Sequence, residues 1–377
     1  MEIGLLSSYP PTLCGLATFN AALAGALRSH GAGIRVVRSL DAPEHLALPD
    51  VASELWAGDE LSRRRAAAEL NACDVVVVQH EYGIYGGPDG VEVVDVLDRI
   101  RVPVIVVVHT VLTQPSTTQR AVLERVMDRA DAVVTMTQAA RTRLLGGYRV
   151  DPERVVVIPH GAAPPAQARS TDERPSPRIL TWGLIGPGKG IEWAIEAMPR
   201  LRDLDPRPHY LIAGETHPKV VAREGERYRD GLRRRADELG VGDMVRFDAT
   251  YRATDAIPAL LATADVVLLP YDSTEQVTSG VLIDSVAAGV PVVSTAFPHA
   301  VELLAGGAGV TVPHRTPEAM ADALTTILTH EEEADRMRAS AQREAASLYW
   351  PAVAARYLDV AAALLGARHG DPAGEAR

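Results

Sequence analysis

Short apolar runs bounded by turn residues recur along this chain, with helix-periodic segments between them, and nothing else in the sequence restricts its fold so tightly. A strand apolar on both faces must be covered on both, which is the environment of a parallel sheet layered by helices. The first series of runs lies at residues 3–6, 34–37, 75–78, 104–108, 132–135 and 155–158. Between the first two, residues 16–27 repeat Phe19, Leu23 and Leu27 at the spacing of one helix face. The stretch 162–177 carries Pro164, Pro165, Pro175 and Pro177 and almost no large apolar side chain, which is linker composition. A second series then begins, at 179–182, 210–213, 245–247, 266–269, 292–294 and 309–312.

Strand and helix alternation on both sides of one linker predicts two Rossmann-like, doubly wound α/β domains facing across a cleft. The length of 377 residues also suits about two domains of roughly 150 residues each. The expected boundaries are an N-terminal domain over 1–165, a linker over 166–177 and a second domain over 178–349. A final helix over 350–365 is free to pack back on the first domain, and 366–377 reads as a flexible tail.

Composition narrows the function. Hydrophobic residues make up 47% and charged residues 23%, a globular balance. The net charge of −11 argues against a nucleic-acid partner, because phosphate neutralisation needs an excess of Lys and Arg. Basic runs at Arg63-Arg64-Arg65 and Arg233-Arg234-Arg235 lie among acidic neighbours in helix-periodic stretches, so they read as solvated faces, with peripheral membrane contact as the alternative. Two cysteines, Cys14 and Cys73, build no disulfide framework. The chain enters an apolar strand without a basic leader, and no apolar segment is long enough to span a bilayer. A cytoplasmic location is expected.

The residues able to carry chemistry follow strand ends, where open α/β sheets bind ligands. After the first strand, Gly15 opens a helix; it is either an ordinary turn glycine or a place where backbone meets a phosphate. The loop 79–87 holds His80, Glu81 and Tyr82, which either cap neighbouring backbone or line a ligand pocket. His109 ends the 104–108 strand, and His160 follows the 155–158 strand at a turn that a hinge would explain equally well. In the second half, 183–190 (GLIGPGKG) includes Gly188 and offers Lys189 as a point charge for a diphosphate, although it matches neither the Walker nor the dinucleotide spacing. Glu215 follows the strand glycine Gly214. The run 270–280 brings Glu275, Gln276, Thr278, Ser279 and Gly280 to a helix start that suits an anion. Asp284 lies one turn inside that apolar helix and needs a hydrogen-bonding partner. No His and carboxylate cluster has metal-ligand spacing, so no metal and no cofactor are expected.

In order along the chain, Gly15, His109, Pro159-His160-Gly161, Lys189 and Gly289-Val290-Pro291-Val292-Val293 resemble the motifs of family 4 retaining glycosyltransferases with the GT-B fold. The resemblance spans nearly the whole chain. It implies a nucleotide diphosphate sugar as co-substrate and a small-molecule, saccharide or lipid-linked acceptor, with a hexosyl unit transferred to a hydroxyl at retained anomeric configuration. By the same resemblance Gly15 lies against the donor diphosphate, His109 touches the donor sugar and Lys189 neutralises the leaving group. Thr278 to Gly280 hold the diphosphate, Glu215 lies near the nucleotide and Asp284 binds the ribose. Two positions depart from the family pattern: Leu184 stands where an arginine is usual, and Gln276 stands eight residues before Asp284 where a glutamate is usual, with Glu275 one position off. By the resemblance, either Gln276 hydrogen-bonds the sugar hydroxyls at the reacting centre or Glu275 takes that role. The alternatives are a GT-B sugar-nucleotide epimerase and a catalytically weak nucleotide-sugar-binding protein.

Overall fold

The computed structural model describes residues 1–44, 46, 48–165 and 176–369. The backbone divides into two compact units, Met1–Gly161 with Trp350–Arg377, and Ala162–Tyr349. Of the expected linker, 166–175 lies outside the described residues.

The first unit contains β1 (Glu2–Ser7), β2 (Gly33–Leu40), β3 (Val51–Trp56), β4 (Val75–His80), β5 (Val104–Val108), β6 (Ala132–Thr135) and β7 (Val155–Val157). They form one parallel sheet in the order β3-β2-β1-β4-β5-β6-β7. Every strand expected from an apolar run is present. The additional one, β3, reads V-A-S-E-L-W and lies at the sheet edge, where only Leu55 is fully buried. An edge strand needs no continuous apolar run, which is why its sequence gave no comparable signal.

Alternate residues of the central strands, Ile3 and Leu5, Val75 and Val77, Ile105 and Val107, pack on one face against Phe19, Leu23 and Leu27 of the helix Gly15–Ser29. The same layer is closed by Trp350, Val353, Ala354, Tyr357 and Ala361 from the helix Trp350–His369. That helix runs beyond Leu365, where the sequence reading ended it, and Arg368 donates to the Arg101 carbonyl and pairs with Asp131. These contacts tie the last turn to the first unit despite Gly366, so residues 366–369 of the expected tail are helical, and 370–377 lie outside the described residues.

The second unit contains β8 (Arg178–Trp182), β9 (His209–Ala213), β10 (Val245–Asp248), β11 (Val266–Leu269), β12 (Val292–Thr295) and β13 (Gly309–Val312). Its parallel order is β10-β9-β8-β11-β12-β13. Both faces are buried: Ile179, Tyr210, Val266 and Leu268 belong to one apolar layer, and Leu180, Val267 and Leu269 to the other. In each sheet the chain order reverses beside the first strand, between β1 and β4 and between β8 and β11. A doubly wound sheet opens a crevice at the carboxyl ends of those strands.

The arginine runs are largely ion-paired. Arg63 meets Glu92 at 2.9 Å and Arg64 meets Glu60 at 2.6 Å. Arg233 meets Asp230 at 3.2 Å and Arg235 meets Glu196 at 2.8 Å. No helix among the described residues is long and apolar enough to cross a membrane.

Candidate active site

In the second unit, the loop after β8 and the segment after β11 meet at the reversal point. The Asp272 N–H donates to the Gly188 carbonyl at 3.0 Å. Gly190 has φ +63°, and a Cβ there would lie 1.9 Å from the Pro270 carbonyl oxygen, so both its backbone and its neighbour demand glycine. Gly188 has φ +87° but open space around it, so its glycine answers to backbone conformation alone. The turn carries Lys189 half-buried, with Nζ 4.2 Å from the centre of the Tyr271 ring. That is a cation–π contact, which holds a cation in place while leaving its N–H donors available. Tyr271 is itself fixed, buried and stacked on Phe297 with centroids 5.6 Å apart. Asp272 accepts from Trp193 Nε1 at 2.9 Å and Arg315 Nε at 3.0 Å, which anchors the far side of the turn.

Downstream, Ser279 caps the helix Gly280–Ala287, its Oγ accepting from the Leu282 N–H at 3.3 Å. The sequence reading left the N–H groups of this turn unpaired. The Ser279 N–H instead donates to His299 Nδ1 at 2.8 Å, so the donors left for an anion are the first-turn N–H groups of Gly280 and Val281. Gln276 folds back on its own turn, Nε2 donating to the Thr278 carbonyl at 2.9 Å. The Thr278 hydroxyl is buried without a partner. Glu275 is exposed at the same turn. Asp284 is half-buried among Leu282, Ile283 and Val286, and burial pushes its carboxyl up to about 7. Glu215 is joined to the β8 loop through its backbone, the Ile185 N–H donating to its carbonyl at 2.8 Å.

The first unit gathers a separate set. Ser7, Gln79 and His109 each continue the face of β1, β4 and β5 that packs on the helix Gly15–Ser29. His109 Nε2 lies 2.7 Å from Gln79 Oε1. With the amide in that orientation its oxygen only accepts, so Nε2 carries the proton and Nδ1 is left as an acceptor. His109 and His160 both meet the Phe19 ring edge-on, at 5.0 and 4.9 Å. Burial, and then the neighbouring His160 and His80, hold His109 down at about 3. Burial alone brings His80 to about 4, and burial opposed by the Gly161 carbonyl brings His160 to about 4. All three imidazoles are therefore neutral at pH 7 and act as hydrogen-bonding groups rather than cations.

Around them, Ser7 Oγ, both amide atoms of Asn20, Gln79 Nε2 and His80 Nδ1 are buried without partners. Glu81 links two loops, accepting from the Tyr82 N–H at 2.9 Å and from the Thr110 hydroxyl at 2.5 Å. Tyr82 meets His80 edge-on at 5.1 Å. Gly15 is exposed at the first turn of its helix, and a Cβ there would meet nothing within 4 Å. Neither backbone nor packing demands glycine at that position, which sets Gly15 apart from Gly190.

The structure thus joins the turn of Gly188 and Lys189 to Tyr271 and Asp272, with Glu275, Gln276, Thr278, Ser279, Gly280 and Asp284 further along that segment and Glu215 on the adjoining loop, and it separately gathers His80, Glu81, Tyr82, His109 and His160. It adds Tyr271 as the platform under Lys189, and Gln79 and Phe19 as the partners of His109. An aromatic residue two positions after an apolar strand, behind Pro270, was the signal available for Tyr271. Gln79, two positions beyond Val77, was legible from strand alternation. Among the described residues, no group of three or more His, Cys, Asp or Glu side chains is arranged to hold a metal ion.

Comparison with known proteins follows the same two-unit division. Residues 14–164 match the family model described as Glycosyltransferase Family 4, and residues 166–344 match that of Glycosyl transferases group 1. The chain is 29% identical over 288 residues to a D-inositol 3-phosphate glycosyltransferase of Corynebacterium glutamicum (strain R), a match covering 69% of this chain and 66% of that protein. It is 29% identical over 255 residues to the protein of the same name from Thermomonospora curvata, covering 63% and 58%. The chain therefore spans less than two thirds of the length of these relatives. Among solved structures, Anabaena Alr3699/HepE in complex with UDP and glucose superposes with a TM-score of 0.76 at 17% identity, covering 96% of this chain and 100% of that one. Sucrose-phosphate synthase from Thermosynechococcus elongatus superposes with a TM-score of 0.73 at 17% identity, covering 97% and 100%. Likeness at that identity is one of fold.

Proposed function

Because this chain belongs to glycosyltransferase family 4, with the two parallel-sheet α/β domains of the GT-B fold class, we propose that it transfers a hexosyl unit from a nucleoside diphosphate sugar to an acceptor hydroxyl, with retention and without a metal. The observation that carries this reading is the meeting of the Lys189 loop with the segment 270–284 where the second sheet reverses its order. One fixed ammonium, two helix-start N–H groups and one half-buried carboxyl are the complement of a diphosphate joined to a ribose. Lys189 and the N–H groups of Gly280 and Val281 take the phosphate oxygens, and Asp284 accepts from ribose hydroxyls. Glu215 lies beside the nucleotide, and Gln276 holds the turn from which Thr278 and Ser279 approach the donor.

In the first unit, open space over Gly15 leaves its backbone free to meet a ligand, and neutral His109 accepts from a sugar hydroxyl. His80, Glu81, Tyr82 and His160 shape the sugar or acceptor pocket. In the reaction the anomeric carbon to phosphate oxygen bond breaks while the bond to the acceptor oxygen forms on the same face. The acceptor proton passes to the departing phosphate oxygen. The protein's own task is positioning and stabilising the charge that develops on that leaving group, and Lys189 is placed for it.

HepE was solved with UDP-glucose, and the relatives above are D-inositol 3-phosphate glycosyltransferases, so UDP-glucose and inositol phosphates are the first donor and acceptor to test, alongside saccharides and lipid-linked acceptors. Incubation followed by NMR of the products is expected to show free nucleoside diphosphate and a glycoside with the anomeric configuration of the donor. An inverted glycoside removes retention. An isomerised donor without nucleotide release replaces transferase by epimerase.

A further inference from the structure

This chain uses arginine almost exclusively for positive charge. It contains only two lysines, Lys189 and Lys219, among 38 Lys and Arg residues. Both lie on adjoining loops of one sheet edge, and neither has a carboxylate partner among the described residues. The loop after β8 and the loop after β9 are zipped by a parallel bridge, in which the Ile185 N–H donates to the Glu215 carbonyl and the His217 N–H to the Ile185 carbonyl, each at 2.8 Å. His217 Nδ1 accepts the Lys219 N–H at 3.1 Å, which leaves the proton of the neutral imidazole on Nε2 as a donor. Both lysine ammonium groups are near enough to disfavour protonation of His217, whose pKa is lowered by burial first and then by Lys219 and Lys189.

A buried arginine fixes this second loop. Arg229, 2% exposed, donates from Nη2 to the Gly214 carbonyl at 2.7 Å and from Nε to Thr216 Oγ1 at 3.3 Å, and it pairs with Glu226 at 3.2 Å. Gly214 adopts φ +147°, and a Cβ there would lie 2.0 Å from the Gly183 carbonyl oxygen, so the two loops are pressed together at their base as well. On this fixed loop the exposed Lys219 offers an unpaired ammonium and His217 an N–H donor, beside the loop that carries the only other lysine, and such donors suit an anion.

We propose that Lys219 and His217 form a second phosphate-contacting pair beside Lys189, supplying from the β9 loop the positive charge that Leu184 does not supply from the β8 loop. The proposal rests on the donor-binding reading above and adds to it which residues hold the diphosphate.

The scarcity of lysine makes the test direct. Reductive methylation of the full chain with ¹³C-formaldehyde keeps the charges and gives two lysine resonances besides that of the N-terminus, assigned with Lys189→Arg and Lys219→Arg variants. Titration with UDP, GDP and ADP, each against its free nucleoside, is expected to move both lysine signals along one saturation curve with a diphosphate and neither with a nucleoside. Lys219→Ala is expected to weaken diphosphate binding about tenfold or more, the scale of one hydrogen bond to a charged group, with Lys219→Arg restoring most of it. A diphosphate that moves the Lys189 signal alone, or a Lys219→Ala variant that binds it unchanged, overturns the proposal and leaves donor binding at Lys189 standing. Diphosphates that move neither signal overturn both.

Discussion

Asp284 ties the stability of the fold and the proposed binding of a ribose to one side chain. Burial raises its carboxyl from an ordinary 3.8 to about 7, because the surrounding apolar helix disfavours the charge. In the unfolded chain this group loses its proton near 4, whereas in the folded protein it keeps it until about 7. The unfolded state therefore binds fewer protons across that window, and stability falls as pH rises through it, by at most about 1.4 kcal/mol per pH unit. Asp284→Asn is expected to match the native chain in melting temperature at pH 4 and to exceed it at pH 8; equal melting at both would remove the buried carboxyl from the ledger. Ribose hydroxyls donating to this carboxyl favour its charged form, so nucleotide binding is expected to tighten from pH 6 to pH 8 in the native chain and to lose that dependence in the variant. In the proposed reaction Lys189, the ammonium held over Tyr271, stands against the leaving group. Lys189→Ala is expected to lower kcat about a hundredfold to a thousandfold, the scale of one contact made to developing charge, and kcat measured with saturating donor checks it.

At the scale of elements, turns and packing helices set where these side chains stand. Gly190→Ala places a methyl group against the Pro270 carbonyl in a left-handed backbone, so the Lys189 turn must move. The expected outcome is a loss of nucleotide affinity of at least about tenfold while circular dichroism stays native, whereas Gly15→Ala, with open space around it, leaves folding untouched and reports only on a ligand. The helix Trp350–His369 gives the largest stability effect outside the site. Trp350 lies 5.1 Å from Phe19 and 5.7 Å from His160, and Trp350→Ala is expected to cost the first unit about 3–5 kcal/mol by denaturant unfolding.

The sequence made the central strands legible because they are buried on both faces, so that Val104–Val108 could be read to the residue. It hid β3, whose V-A-S-E-L-W run is an edge strand half open to water, and it hid the last turn beyond Leu365, where Arg368 rather than an apolar residue makes the docking contacts. Within the site, glycines and polar residues at strand ends were visible as such. Which of them answer to the fold was not. Gly190 and Gly214 are required by neighbouring carbonyls and Gly15 is not, a distinction that depends on what approaches each from elsewhere in the chain.

For the molecule as a whole, two parallel sheets with the same reversal of strand order carry chemically different edges. The first presents neutral imidazoles and amides, suited to hydroxyl groups, and the second presents a fixed ammonium, helix-start N–H groups and a carboxyl, suited to a phosphorylated ribose. With the departures at Leu184 and Gln276, the proposed donor site rests on Lys189, whose turn meets the 270–272 segment, and on the Gly280 helix start and Asp284 further along that segment. Thermal unfolding of the native chain and of Lys189→Ala, with and without UDP-glucose, tests this assignment most directly. At about 100 times the dissociation constant, the nucleotide sugar is expected to stabilise the native chain by about 2.7 kcal/mol and the variant by clearly less. A native chain that melts at the same temperature with and without UDP-glucose, or a variant stabilised as strongly as the native chain, would contradict it.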